Sequence, residues 1–183
     1  DSRKIKILLV GWLEKEKGIY EMINSFKQLI DKNLNIELII VGDGSLKKIF
    51  NDMLNQKKFE NKITLYGWLS EEKLRCVYEE SDIFILPSWQ EGMPNSLIEA
   101  TACGLPSICT DVGMVSDYYS DNHDIIIIRS KNQKILAKSL EKLINDVNLR
   151  KKLSVNGRLV AKKMFSTNTN LRKLSKIIKE QIT

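Results

Sequence analysis

Six short apolar runs recur along the 183 residues, and stretches with helical spacing lie between and after them. The runs are 5–10 (IKILLV), 36–41 (IELIIV), 62–66 (KITLY), 83–86 (IFIL), 106–109 (PSIC) and 125–128 (IIII). Rich in β-branched residues and bounded by turn formers, they read as strands. The stretches 18–31, 45–58, 70–80, 95–103, 132–145, 147–163 and 167–181 carry apolar residues at helical intervals. A chain that alternates strand and helix in this way builds a parallel sheet with helices on both faces. No repeat, low-complexity tract or linker interrupts the pattern, and the length suits one domain rather than two. The expectation is a Rossmann-like, doubly wound α/β domain over residues 1–183.

Such a sheet can stand in water or under a membrane. No apolar run reaches the roughly 18 residues of a membrane span, and no signal peptide opens the chain. A cytoplasmic protein is therefore expected. The three cysteines, Cys76, Cys103 and Cys109, are odd in number and lack C-x-x-C spacing. They read as reduced thiols buried as small apolar residues. Lys plus Arg outnumber Asp plus Glu by 29 to 23, a net charge of +6. That balance suits an anionic ligand, an anionic membrane or nucleic acid, and it also fits a background of scattered lysines. The densest basic run, RKKLSVNGRLVAKKMF at 150–165, lacks the interleaved aromatics of a nucleic-acid binder, so no nucleic-acid partner is expected. It fits a peripheral contact with the inner face of a membrane and equally a solvated helix face.

Six of the nine glycines follow a strand: Gly11, Gly42, Gly44, Gly67, Gly92 and Gly113. Loops leaving the carboxyl ends of parallel strands form the ligand crevice, and glycine lets backbone amides approach a ligand. Tight turns after strands call for glycine as well, so both readings fit each position singly. The stretch VGDGSLKK opens like a dinucleotide fingerprint but has Lys47 at the third glycine position, and no acidic residue closes the next strand at Tyr66. A Walker A motif is absent, and His123 is the single histidine, which leaves no metal cluster and no resident cofactor to expect.

The stretch PSWQEGMPNSLIEATACGLP at 87–106 carries more chemistry. Pro87 stops a strand, Pro94 and Asn95 start a helix with asparagine as a cap, and Gly104 and Pro106 stop it. Amides of Asn95, Ser96 and Leu97 then offer a phosphate seat at the positive end of the helix dipole. Glu99 lies about one turn deeper, placed to accept two ribose hydroxyls, and Glu91 stands outside the helix beyond the phosphate. Two carboxylates straddling a phosphate fit a nucleotide sugar. An early helical glutamate also arises for dipole reasons alone.

EGMPNSLIEATACGLPSICTDVG resembles the E-x7-E signature of the retaining glycosyltransferases of family four, which have the two-domain GT-B fold. VGWLEKEKG resembles their phosphate-clamp segment, VGDGSLKK their second loop, ITLYGW their base-side loop and SDIFILPSWQEG the strand entering the signature. The resemblance implies the C-terminal, donor-binding half of such an enzyme, with the amino-terminal acceptor domain absent from this chain and no transfer by this half alone. It implies that Glu91 and Lys17 are catalytic, the first touching hydroxyls of the transferred sugar and the second neutralising the departing diphosphate. Gly92, Met93 and Pro94 would line the sugar and phosphate, Asn95, Ser96 and Leu97 would hold the diphosphate, and Glu99 the ribose. Gly11, Gly42 and Gly67 would face the nucleotide. The implied donor is a UDP-sugar, then a GDP-sugar, with no metal, and the acceptor is a saccharide or lipid-linked saccharide of surface-polysaccharide or glycolipid synthesis.

Two departures from the family pattern stand out. Gly11-Trp12 replaces the usual Gly-Arg of the clamp, removing one of two cations. Gly113-Met114 and Asp117 replace a Gly-Gly that ends in glutamate. The tryptophan has two readings, a ligand-facing contact or packing at a domain interface. A nucleotide-sugar 2-epimerase, or a non-catalytic nucleotide-binding module, is the alternative on the same architecture.

Overall fold

The computed structural model describes residues 3–129, 131–167 and 170–171. Six strands form one sheet: β1 (Ile5–Val10), β2 (Ile36–Val41), β3 (Ile63–Leu65), β4 (Ile83–Leu86), β5 (Ser107–Thr110) and β6 (Ile126–Ile128). They lie in the order β3-β2-β1-β4-β5-β6, and every neighbouring pair is parallel. Because successive side chains of a strand point to opposite faces, each strand feeds two cores. Ile7, Leu9, Leu38, Ile40, Ile83 and Ile85 enter one, and Leu8, Val10, Ile39, Val41, Phe84 and Leu86 the other.

Helices cover both faces: α1 (Ile19–Asp31), α2 (Lys47–Leu54), α3 (Glu71–Glu80), α4 (Asn95–Ala102), α5 (Val115–Tyr118), α6 (Gln133–Asn145) and α7 (Val147–Phe165). In α1 the buried side chains Ile19, Met22, Ile23, Phe26, Leu29 and Ile30 recur every three or four residues. That is one face of a helix, and each large side chain on it contributes roughly 1.5–3 kcal/mol relative to exposure. This face meets the first core, where α1 packs on α6, and the buried Ser25 hydroxyl donates to the Gln133 carbonyl at 2.8 Å. On the opposite face α4 packs on α7.

The doubly wound sheet expected from the sequence is the observed one, with two local differences. The stretch 45–58 is a shorter helix, α2, followed by a 3-10 turn at Lys57–Phe59. The break lets Phe59 turn into the core, 6.4 Å from the ring of Phe26. The four-residue α5 is too short to display a period and was not expected. Most of the helix expected at 167–181 lies outside the described residues.

The thiols differ from the expectation of three buried side chains. Cys109 is buried, Cys103 half-buried and Cys76 exposed, because Leu74, Val77 and Tyr78 supply the inward stripe of α3 and leave Cys76 off it. Burial pushes up the thiol of Cys103 and that of Cys109. A thiol reagent added to the native protein is expected to modify Cys76 at once, Cys103 slowly and Cys109 only after denaturation. Equal rates for the three would contradict this packing.

Candidate functional site

The sheet order reverses between β1 and β4, the switch point at which open parallel sheets bind ligands, and the loops leaving these two strands meet at their carboxyl ends. The β1 loop runs from Gly11 to Gly18 and contains a 3-10 turn at Lys15–Lys17. Gly18 ends the turn in the left-handed region, at φ 68°, with its α-carbon pressed against the other loop. A Cβ there would lie 2.0 Å from the Pro87 carbonyl oxygen. The amide of Trp89 donates to the Glu16 carbonyl at 2.7 Å. Across this junction the Lys17 ammonium donates to Glu91 Oε1 at 2.7 Å, with both side chains largely withdrawn from water. Two residues 74 positions apart thus meet in one ion pair at the crevice.

The β4 loop ends at α4. Pro94 is the N-cap, in extended conformation, and no side chain caps the helix. Asn95 was expected as a cap; it is instead the first helical residue and is exposed. The amides of Leu97 and Ile98 turn back to the Pro94 carbonyl, at 3.1 and 3.3 Å. Asn95 and Ser96 therefore supply the two amides without an acceptor among the described residues, at the positive end of the helix. Leu97 belongs to the core. Glu99, one turn in, is exposed and accepts the Tyr78 hydroxyl at 2.9 Å. Burial first, and then the charge of Glu99, push the Tyr78 hydroxyl well above its usual range, so it remains a donor. Tyr78 was not among the expected residues; the available signal was a hydroxyl on the buried stripe of α3, which requires a partner.

Around Glu91 the loops are closely packed. Gly92 is exposed, Met93 half-buried and Pro94 buried. The Gly92 carbonyl accepts the Met114 amide at 2.9 Å. Gly113, at φ 55°, sits so close that a Cβ would fall 1.8 Å from that carbonyl oxygen. The Gly113-Met114 departure thus still seats a glycine directly on the Glu91–Gly92 backbone. Asp117, on α5, is exposed.

Towards β3 the rim is laced by backbone bonds. Gly11 donates to Val41, Leu13 to Asp43 and Gly42 to Gly67, at 3.0, 2.9 and 2.8 Å. Glu14 accepts both the amide and the hydroxyl of Ser45, and these bonds hold its carboxyl below the usual range, the hydroxyl more than the amide. Asp43 is held low chiefly by its hydrogen bond from Lys47. Trp12 is 56% exposed and Trp68 54%, and their rings meet edge to face at 4.9 Å. Where the family pattern carries a cation, this rim carries an exposed aromatic pair. Among the described residues no cluster of three or more His, Cys, Asp or Glu side chains is arranged to hold a metal.

Comparison with known proteins fits this architecture. The chain matches the family described as glycosyl transferases group 1 over residues 1–160. It is 32% identical over 160 residues to the capsular polysaccharide biosynthesis glycosyltransferase CapM of Staphylococcus aureus, covering 86% of this chain and 41% of that protein. A TarM variant from S. aureus, in complex with Fondaparinux, alpha-GlcNAc-glycerol and UDP, superposes with TM-score 0.82 at 23% identity, over 94% of this chain and 35% of that one. The C-terminal domain of a glycosyl transferase group 1 family protein, LpcC, from Francisella tularensis superposes with TM-score 0.80 at 22% identity, over 90% of this chain and 88% of that one. The chain spans less than half the length of the curated relatives it matches. The fold is that of a GT-B glycosyltransferase domain, and by its sequence match the chain belongs to the glycosyl transferases group 1 family.

Proposed function

We propose that the chain is the donor-binding half of a retaining glycosyltransferase that takes a nucleotide sugar, a UDP-sugar before a GDP-sugar. Its acceptor is a saccharide or lipid-linked saccharide of surface-polysaccharide or glycolipid synthesis, held by a facing amino-terminal domain. With a lipid-linked acceptor the enzyme works at the inner face of the membrane. The observation that carries the reading is the Lys17–Glu91 pair across the switch-point crevice, beside the unengaged amides of Asn95 and Ser96. The UDP in the related TarM complex supports the choice of base, and CapM, a capsular polysaccharide enzyme by name, supports the acceptor class.

In this reading the bond between the anomeric carbon and the diphosphate oxygen breaks, and negative charge accumulates on the leaving diphosphate. Lys17 and the two amides meet that charge, and because it is greater in the transition state than in the bound donor, they lower the barrier. Glu91 accepts hydroxyls of the sugar and Glu99 those of the ribose. The acceptor hydroxyl attacks from the face that the diphosphate leaves and gives its proton to the departing diphosphate oxygen, which preserves the anomeric configuration, and the facing domain orients that attack and excludes water.

UDP at about 100 times its Kd is expected to stabilise the chain by about 2.7 kcal/mol, raising Tm by roughly 5–10 °C in a domain of this length. Failure of UDP, GDP and ADP alike to move Tm or any amide resonance near Glu99 would overturn the site. Incubated with nucleotide sugars and acceptors, the 183 residues alone are expected to transfer nothing, and fusion to an acceptor domain to restore transfer.

A further inference from the structure

The helix α7 has an outward face with no place in this site. Its 19 residues contain six Lys and Arg side chains and no Asp or Glu. Arg150 is spent on the Leu143 and Ile144 carbonyls that end α6, and Lys152 reaches the Asn122 carbonyl. Lys151, Arg158, Lys162 and Lys163 are exposed and form no salt bridge among the described residues. Elsewhere some cations are matched with acids, as in Lys32–Glu141, Lys58–Asp31 and Arg75–Glu79, and others such as Lys48, Lys73 and Lys138 stand singly among the described residues; α7 differs in gathering its cations on one helix that carries no acid. Among the cations of α7 stand two aliphatic side chains in the open, Val155 at 60% and Leu159 at 61% exposure.

Residues three and four apart on a helix are neighbours, so Lys151 and Lys152, Val155, Arg158 and Leu159, and Lys162 fall on successive turns of one side. The strip is about 16 Å long at 1.5 Å per residue. Val155 and Leu159 also edge a shallow groove of about 620 Å³ between α7 and α4, to which Ile98, Ala102 and Phe165 contribute. The groove offers a channel for hydrocarbon, with Arg158 and Lys162 at its rim.

We infer that this face of α7 docks on an anionic lipid bilayer. Its aliphatic side chains enter the boundary between headgroups and acyl chains while the long cationic side chains bend back to the phosphates. Charge complementarity selects the occupant: a strip without acids seeks an anionic surface, and aliphatic side chains between the cations suit lipid, whereas stacking on bases calls for aromatics. No helix among the described residues is long and apolar enough to cross a membrane, so the contact is peripheral. This inference does not rest on the donor-site reading.

The test is flotation of the 183-residue chain with vesicles of phosphatidylcholine alone and with about 30% phosphatidylglycerol added. Partitioning is expected to rise about tenfold with the anionic lipid and to fall again in about 0.5 M salt. The double replacement Arg158→Glu and Lys162→Glu is expected to abolish the gain. Val155→Ser with Leu159→Ser is expected to cut it severalfold at unchanged charge. All four positions are exposed, so Tm and the UDP-induced shift should hold in both variants, which separates failure here from failure at the donor site. Equal binding to both vesicles, retention by the charge-reversed variant, indifference to the serine pair, or tighter binding to an RNA oligonucleotide lost in the same variants would each overturn the assignment.

Discussion

Replacing Glu99 with alanine is expected to weaken UDP binding roughly 10- to 150-fold by calorimetry. The ribose hydroxyls would lose their carboxylate acceptor, and because Glu99 is exposed and water takes its place in part, the net loss is that of about one charge-assisted bond, roughly 1.5–3 kcal/mol. Tyr78→Phe should produce a smaller loss in the same direction, since the carboxylate remains but its Oε2 is no longer held by the tyrosine hydroxyl. Glu91→Gln should not weaken UDP, because on this reading Glu91 meets the sugar and its charge competes with the diphosphate for Lys17. Equal losses of UDP affinity in the Glu99 and Glu91 variants would contradict the division of labour between the two carboxylates.

Gly18→Ala is expected to lower Tm by roughly 5–15 °C and to weaken UDP binding with it, through two additive costs. An alanine in the left-handed region costs about 1–2 kcal/mol. Its methyl group would also stand 2.0 Å from the Pro87 carbonyl oxygen, a backbone atom that cannot swing aside. Relief requires the β1 and β4 loops to part, at an overpacking cost of about 1–3 kcal/mol, and at a few degrees per kcal/mol the Tm follows. Parting the loops also separates Lys17 from Glu91. Gly92→Ala is the control: it has no positive φ and no atom within 4 Å of the added carbon. Its Tm should stay within about 2 °C, the size of an ordinary surface change. Identical behaviour of the two variants would show that the loop junction is not what positions the site.

The sheet was legible because Ile, Val and Leu concentrate in strands buried on both faces, and the strand-terminal glycines marked the crevice edge before any coordinates. The E-x7-E stretch gave the start of α4 to within a residue. Other features depend on partners distant in sequence. That Leu97 would turn its amide back to Pro94 follows from how the first turn of α4 tightens, which residue type does not encode. That Lys17 would meet Glu91 depends on the β1 loop crossing to Pro87, and nothing in the spacing of 74 residues declares it. Tyr78 was hidden because a buried tyrosine reads as core until its hydroxyl is followed to Glu99. Trp12 needed Trp68, which is 56 positions away, before it could be read as one half of an exposed pair.

The contact between Lys17 and Glu91 gives this cation a competitor of its own. On the proposed reading, a diphosphate arriving there would not find a bare ammonium; it would exchange places with a carboxylate already 2.7 Å away. The intact donor would compensate the displaced Glu91 with sugar hydroxyls, whereas the spent nucleotide diphosphate would offer it nothing. Once the sugar had gone, Glu91 would reclaim Lys17 and help to eject the product. Such a site would favour loaded over spent donor without any further group to tell them apart.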